Sequence, residues 1–287
     1  MYDLHRLRLL RELAHRGTLA AVAEALGYSP SAVSHQLSIL EREVKAPLLE
    51  PAGRGVRLTP AAFTLVAHTE SILRELERAE ASIAASRTEI TGTVRVATFQ
   101  TAAHTLVLDA IDRLAEKHPH LVVAFAHLNA EAAIPALLAR DFDLVLSEDY
   151  PGNPSSPHPG VTTGTIIDDP LLLAVPADWP ARSLADLAEA PWVMEHGGTA
   201  ARAWSAAACR AAGFEPHVRY ETSDLSLHAE IVARGRGVAF LPRLGHTPSP
   251  DVRLIPTGNT RAITASTRTG SEDAPATKAL HDVLVTP

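Results

Sequence analysis

Ser29, Ser31, Ser34, His35, Gln36 and Ser38 crowd into one stretch of the chain. All are short polar side chains that can donate and accept hydrogen bonds, the chemistry that reads base edges and phosphates. Arg54 and Arg57 follow, and their guanidinium groups suit a phosphate backbone. A second set stands directly after short apolar runs: Gln100, Thr101 and Ala102, then Leu128 and Asn129, then Ser147 and Glu148. His196, Gly197, Gly198 and Thr199, with Thr222 and Ser223, complete it. Polar groups at strand ends, beside helix N-termini with free N–H groups, are the makings of a small-molecule site. Two helix N-termini favour a carboxylate or other anion, whereas Glu148, Glu195 and Asp224 suit an amino group; both remain open.

Catalysis lacks a constellation. There is no nucleophile elbow, Walker loop, dinucleotide fingerprint or zinc spacing. Gly235-Arg236-Gly237 lacks a third glycine and a preceding strand, and His118, His120 and His196 are scattered members of a set of 14. Neither an enzyme nor a metal or other cofactor is expected. Cys209, the single cysteine, lies in an alanine-rich helical stretch and reads as a small buried hydrophobe, with no disulfide to close.

Three helices must carry the first set. Asp3 caps a helix with Leu4, Leu7, Leu10 and Ala14 at helical spacing, stopped by Gly17. Thr18 caps the next, with Leu19, Val22, Ala23 and Leu26 on one face. Gly27-Tyr28-Ser29 turns the chain, and Pro30 opens a third helix running to about Lys45. There Val33, Leu37, Leu40 and Val44 form the inward stripe and the serines, His35 and Gln36 face outward. Two helices joined by a three-residue turn containing glycine are a helix-turn-helix. Leu48-Leu49-Glu50 and Val56-Arg57-Leu58 then flank a hairpin, or wing. Thr59-Pro60 opens a linker helix with a heptad-like seam of Leu65, Thr69, Ile72, Leu76, Ala79 and Ile83, suited to self-pairing.

The remainder alternates strand and helix, which predicts an α/β domain with a mainly parallel sheet. Strands are expected at 94–99, 121–125, 142–146, 166–175, 192–194, 218–221, 238–241, 252–255 and 263–267. Thr101 is expected to cap a helix that stops near His118-Pro119. Pro135 is placed in or near the first turn of a helix over 130–140, and further helices are expected at 184–187, 199–212, 225–233 and 275–285.

The chain has 287 residues, 46% of them hydrophobic and 21% charged, a globular composition long enough for two domains. Its net charge is −7, but residues 1–60 hold eight basic and six acidic groups, a net of +2. Residues 61–287 therefore carry −9, so one segment is suited to a polyanion and the other is not. No leader or membrane-spanning segment is read from the sequence, which points to the cytoplasm.

The run from Thr18 to Leu37, continued by Ile39-Leu40-Glu41-Arg42-Glu43, Pro47-Leu48-Leu49 and Arg57-Leu58-Thr59-Pro60, resembles the N-terminal module of LysR-type transcriptional regulators. Pro30 stands where that family often has glutamine, Pro51 where a wing arginine is frequent, and Ala62 where glycine is frequent. Asp143-Leu144-Val145-Leu146, Leu184-Ala185-Asp186-Leu187 and Ile231 through Pro242 resemble the family's periplasmic-binding-protein-like effector domain. The resemblance implies a winged helix-turn-helix at 1–60 and a dimerisation helix at 61–90. It further implies an effector domain at 91–287, with subdomain I at about 91–167 and 263–287 and subdomain II at about 168–262. DNA contacts are then expected from Thr18, Ser29, Pro30, Ser31, Ser34, His35, Gln36, Arg54 and Arg57. The implied partners are promoter DNA, a small organic acid or amino acid, further copies of the chain in a homodimer or homotetramer, and RNA polymerase. The alternative is a solute-binding protein or enzyme whose N-terminal module binds other proteins.

Overall fold

The computed structural model describes residues 2–286 except 54, 87, 88, 129 and 246–248. Helix α1 (Leu4–Arg16) starts at Asp3, which accepts the Arg6 N–H at 3.1 Å, and ends at a left-handed Gly17. Thr18 caps α2 (Leu19–Leu26) and Ser29 caps α3 (Pro30–Val44), each through its side-chain oxygen. Leu7, Leu10, Val22, Ala23, Val33, Leu37 and Leu40 are buried together, as their spacing requires. Leu4 is exposed instead, while Leu9 and Leu13 are buried, because α1 is covered by both α3 and α4 and so buries a wider stripe. Strands β1 (Leu49–Ala52) and β2 (Gly55–Leu58) form the antiparallel wing. A Glu41 carboxylate oxygen accepts the Leu48 and Leu49 N–H groups at 2.8 and 3.0 Å, tying the wing to α3.

Helix α4 (Pro60–Ala85) has two apolar faces. Ala62, Thr69, Leu73, Glu77 and Ala81 are buried within the chain, whereas Phe63, Ile72, Leu76 and Ile83 are exposed. Thr69 alone of the expected seam is fully covered, so the seam divides between an inner and an outer face.

The C-terminal part begins with β3 (Gly92–Thr98), followed by α5 (Gln100–Ala102), a π-type turn at Ala103–Val107, and α6 (Leu108–Lys117). Next come β4 (Leu121–His127), α7 (Ala130–Leu138), β5 (Leu144–Asp149) and β6 (Val161–Pro176). After a 3₁₀ turn at Ala185–Leu187 come β7 (Pro191–Met194), α8 (Ala200–Ala211), β8 (His217–Glu221) and α9 (Leu225–Ala233). Strands β9 (Ala239–Pro242) and β10 (Val252–Arg268) and helix α10 (Pro275–Val285) complete the chain.

Four expectations are corrected. The main sheet, in the order β4-β3-β5-β10-β6-β9, is mixed: β3 is parallel to β4 and β5, but β10 is antiparallel to β5 and β6, and β6 to β9. The reason is topological. Strand β6 carries the chain out of one half and β10 brings it back alongside, so the pair must run in opposite directions. The runs at 252–255 and 263–267 belong to this single strand β10, because the Pro256-to-Asn259 interval is a bulge. In it the Thr257 hydroxyl donates to the Leu171 carbonyl at 2.6 Å. Pro135 lies inside α7, past its first turn, and Thr101 is not a cap: Phe99 holds that position without a side-chain bond. In the second half β7 and β8 pair in parallel, and the bridge from Trp192 to Val238 leads to β9.

Each half has its own core. Val94, Val96, Leu114, Leu144 and Leu280 pack in the first. Trp192, Trp204, Phe240, Leu171, Leu173 and Cys209 pack in the second, where burial pushes the Cys209 thiol up to about 12.

Charged side chains join α4 to the C-terminal part. The Glu77 carboxylate accepts from Arg268 at 2.7 Å and from Arg140 at 3.0 Å, and all three side chains are largely buried. Arg16 of α1 donates to both oxygens of Asp141 at 2.9 and 3.0 Å, seating the N-terminal domain on the segment after α7. Removing the Glu77 carboxylate leaves Arg140 without this partner and Arg268 with only the Asp143 carboxylate, and breaking such buried pairs typically costs several kcal/mol. Glu77→Ala should therefore lower the urea midpoint by the equivalent of about 3 kcal/mol, while the exposed Glu80→Ala stays within about 0.5 kcal/mol. Equal midpoints for the two variants would show that the buried pairs contribute nothing.

Candidate nucleic-acid interface and effector cleft

The first turn of α3 is open to solvent. Ser29, Pro30, Ser31 and His35 are exposed and Ser34 is partly so, all on the face opposite Val33, Leu37 and Leu40. The Ser29 hydroxyl, while accepting the Ala32 N–H at 3.1 Å, also lies 3.0 Å from the Ser31 hydroxyl. Gln36 is less free than its outward position suggests. Arg6 Nε donates to its side-chain oxygen at 3.0 Å, and the same guanidinium pairs with Glu43. The Gln36 amide N–H groups thereby point their donor end away from Arg6. Thr18, exposed, sits at the other helix start and accepts the Ala21 N–H at 3.1 Å. On the wing, Arg57 is exposed and pairs with Glu50 at 2.8 Å; Arg54 lies outside the described residues. An exposed pair of this kind is weak, so a phosphate can compete for Arg57.

Of the second set, Thr101 and Glu148 meet where β6 and β10 cross between the halves. At the centre is a residue that no periodicity signals: Arg261, 1% exposed on β10, directly opposite Asp169 of β6. Arg261 Nε donates to Asp169 at 2.9 Å, a terminal nitrogen donates to the Thr101 hydroxyl at 2.9 Å, and the other pairs with Glu148. The guanidinium also lies over the Phe99 ring, 5.5 Å from its centre. Burial works against this charge, but Glu148, Tyr150 and Asp169 more than offset it and hold Arg261 firmly protonated. Asp169 is fixed in turn by the Leu244 N–H at 2.8 Å, and Gly245, with φ +75, packs against Thr101 so closely that a side chain would collide with it.

Around this centre the expected residues have separate fates. Gln100 reaches across to Asp224 of the second half at 3.4 Å. Ala102 is packed in the first core and presents no side chain, and Ser147 accepts from Thr264 through its backbone at 3.5 Å. His196, Gly197 and Gly198 form an exposed loop that ends at Thr199, the cap of α8. The Thr222 hydroxyl accepts the Asp224 N–H at 3.1 Å, Ser223 is exposed, and Asn129 lies outside the described residues. Burial, reinforced by the nearby Glu148, pushes the Glu195 carboxyl up to about 7. The sequence reading missed Arg261, Asp169 and Tyr150. For Arg261 and Asp169 the only signal was a charge within a strand, and Tyr150 carried none.

Comparison with known proteins bears on both regions. The model of the bacterial regulatory helix-turn-helix protein, lysR family, matches residues 4–63, and that of the LysR substrate binding domain matches residues 87–286. The transcriptional dual regulator GltC of Bacillus subtilis is 28% identical over 245 residues, covering 84% of this chain and 80% of its own. The HTH-type transcriptional regulator CbbR of Xanthobacter flavus is 28% identical over 258 residues, covering 88% and 75%. A full-length OxyR variant from Pseudomonas aeruginosa has a similar fold, with a TM-score of 0.72, 20% identity and coverage of 100% of this chain and 95% of that one. Full-length CbnR complexed with its target DNA gives a TM-score of 0.55 at 22% identity, with 99% of each chain covered. The chain belongs to the LysR family of transcriptional regulators, with a DNA-binding helix-turn-helix and an effector-binding domain.

The raised Glu195 carboxyl links stability to pH. Its folded-state value lies above the ordinary 4.5, so the folded chain holds this proton more tightly than the unfolded chain. The contribution is complete below about 4.5 and is lost as pH rises to about 7. Glu195→Gln should remove this slope and raise stability at pH 8 by up to about 3 kcal/mol, read from denaturation midpoints across pH 4.5–8. An unchanged slope would place the carboxylate in water.

Proposed function

We propose that this regulator reads a promoter with Thr18, Ser29, Pro30, Ser31, Ser34, His35 and Gln36, steadied on phosphates by Arg54 and Arg57. The observation that carries this reading is the solvent-facing polar first turn of α3, beside a wing whose arginine is exposed. The exposed apolar face of α4, with Phe63, Ile72, Leu76 and Ile83, supports pairing of two copies there, so that two α3 helices meet two half-sites. The +2 charge of residues 1–60 allows each protomer to neutralise only a few phosphates, and paired protomers double that number.

Residues 1–60 are the reading module, 61–90 the pairing helix and 91–287 the effector domain. The effector domain divides where β6 and β10 pass between its halves. A small molecule enters between them, in reach of Gln100, Thr101, Asn129, Ser147, Glu148, His196, Gly197, Gly198, Thr199, Thr222 and Ser223. By preferring one opening of the cleft, it shifts the population of dimer geometries and thus the bend in the promoter. Contact with RNA polymerase and a cytoplasmic location follow from this reading; among the described residues no helix is long and apolar enough to cross a membrane.

Duplexes selected from a random pool at physiological salt supply the operator for the test. Gln36→Ala should reduce discrimination at one base step by about 1–3 kcal/mol. Arg57→Ala should weaken all duplexes alike and lower the salt slope by about 1. The double variant Ile72→Glu, Leu76→Glu should sediment as a monomer and lose operator binding. Selection that enriches no sequence would end the promoter-reading proposal, and a variant that still sediments as a dimer would move pairing away from α4.

A further inference from the structure

The cleft carries more carboxylate than its own cations can neutralise. Glu148, Asp169 and Glu195 gather near Arg261, yet all three Arg261 nitrogens are engaged by Asp169, Glu148 and Thr101. The other nearby guanidinium, Arg202, is turned away: it donates to the Glu195 backbone carbonyl at 2.9 Å and to the exposed Glu221 at 3.0 Å. Among the described residues, both of these guanidinium groups are thus already paired with carboxylates.

Beside Glu195 lies a cavity of about 20 Å³, lined among others by Tyr150, Trp204, Ser205, His228 and Phe240. That is room for a single water-sized or ammonium-sized group. His228 is 2% exposed, and burial keeps its ring neutral. Its Nε2 lies 2.8 Å from the Thr222 carbonyl oxygen, which can only accept, so Nε2 carries the proton. Nδ1 is then a bare lone pair, and it has no hydrogen-bond partner among the described residues. A buried acceptor of this kind costs on the order of 1–3 kcal/mol until a donor meets it. The cavity thus presents a carboxylate and an imidazole lone pair, both acceptors, against aromatic walls. A metal ion is a poor match, because among the described residues no group of three or more His, Cys, Asp or Glu side chains is placed to hold one.

We propose that the effector is a primary amine whose ammonium group enters this cavity, between the rings of Trp204 and Phe240, and donates to Glu195 and His228 Nδ1. An ammonium group supplies three donors and one positive charge, what the two acceptors and the excess carboxylate lack. The aromatic faces add cation–π attraction in a desolvated site. This inference rests on the reading of the cleft as the effector site and adds the charge class of the ligand.

The test uses full-length protein at pH 7.5 with three probes that share a phenyl ring and two methylenes, phenethylamine, 2-phenylethanol and 3-phenylpropionate, measured by calorimetry. Phenethylamine should bind at least about tenfold more tightly than the alcohol, and the propionate more weakly still. Glu195→Gln should erase the preference of amine over alcohol, whereas Glu230→Gln on the outer surface of α9 should retain it. Circular dichroism and operator binding confirm that each variant is folded. Tighter binding of the propionate, lost in Gln100→Ala, would overturn the amine while keeping the cleft as the site. Amine binding that is unchanged in both Glu195→Gln and Gln100→Ala would place it elsewhere, and the cleft reading would fall with it. No binding by any of the three overturns the amine class.

Discussion

A single buried cation stands where two strands cross between the halves of the effector domain, and much else is arranged around it. Arg261 has no water to solvate it, so its five N–H groups must be met by protein. Each of its three nitrogens is met, from three elements: Asp169 on β6, Glu148 on β5 and Thr101 on α5. Because β6 and β10 are the segments through which the halves are joined in the sheet, the guanidinium ties that crossing to the first half. Removing one partner would strand buried charge, so the four groups act as a unit. A bulge in the β6–β10 ladder falls next to the pair, between Ile263 and Thr264, where a strand can bend with little loss of pairing.

Much of the fold was legible because local rules and tertiary packing agree. Helices α1 to α4 start where Asp3, Thr18, Ser29 and Thr59 can cap, and α9 and α10 occupy the spans their patterns mark. The strand directions were not legible. Short apolar runs look alike whether parallel or antiparallel, and the turn-like Pro256-Thr257-Gly258 conceals a bulge inside one long strand. Polar site residues divide in the same way. Ser29 and Thr199 are marked by their place before a helix, where capping is the signal, whereas Arg261, Asp169 and His228 matter through partners 74 or more residues away or through a cavity. No pattern in one strand could announce such partners.

The same reasoning changes the meaning of individual side chains. Gln36 stands at an outward helix position, but Arg6 takes its carbonyl oxygen and leaves the amide nitrogen to face a partner. Thr101 is not a cap but an acceptor for a buried guanidinium. Glu70 is held at about 2 despite its burial, by hydrogen bonds and charge from His15 and Arg11, and so fastens α1 to α4. In each case residue type was readable and role was not, because role is set by the neighbour that uses the polar atom.

Helix α4 faces two ways, and this constrains its length more than its composition. Its inner face meets the chain through Thr69, Leu73, Glu77 and Ala81, and its outer face shows Ile72, Leu76 and Ile83. One inserted residue turns everything beyond it by about 100° and exchanges the two faces. Seven residues restore the angle to within about 20° but lengthen the rod by about 10 Å, carrying Glu77 away from Arg268 and Arg140. Neither the phase nor the reach can drift alone. The number of residues between the wing and Glu77 is in effect a fixed mechanical dimension of this chain, like the length of a lever cut to fit.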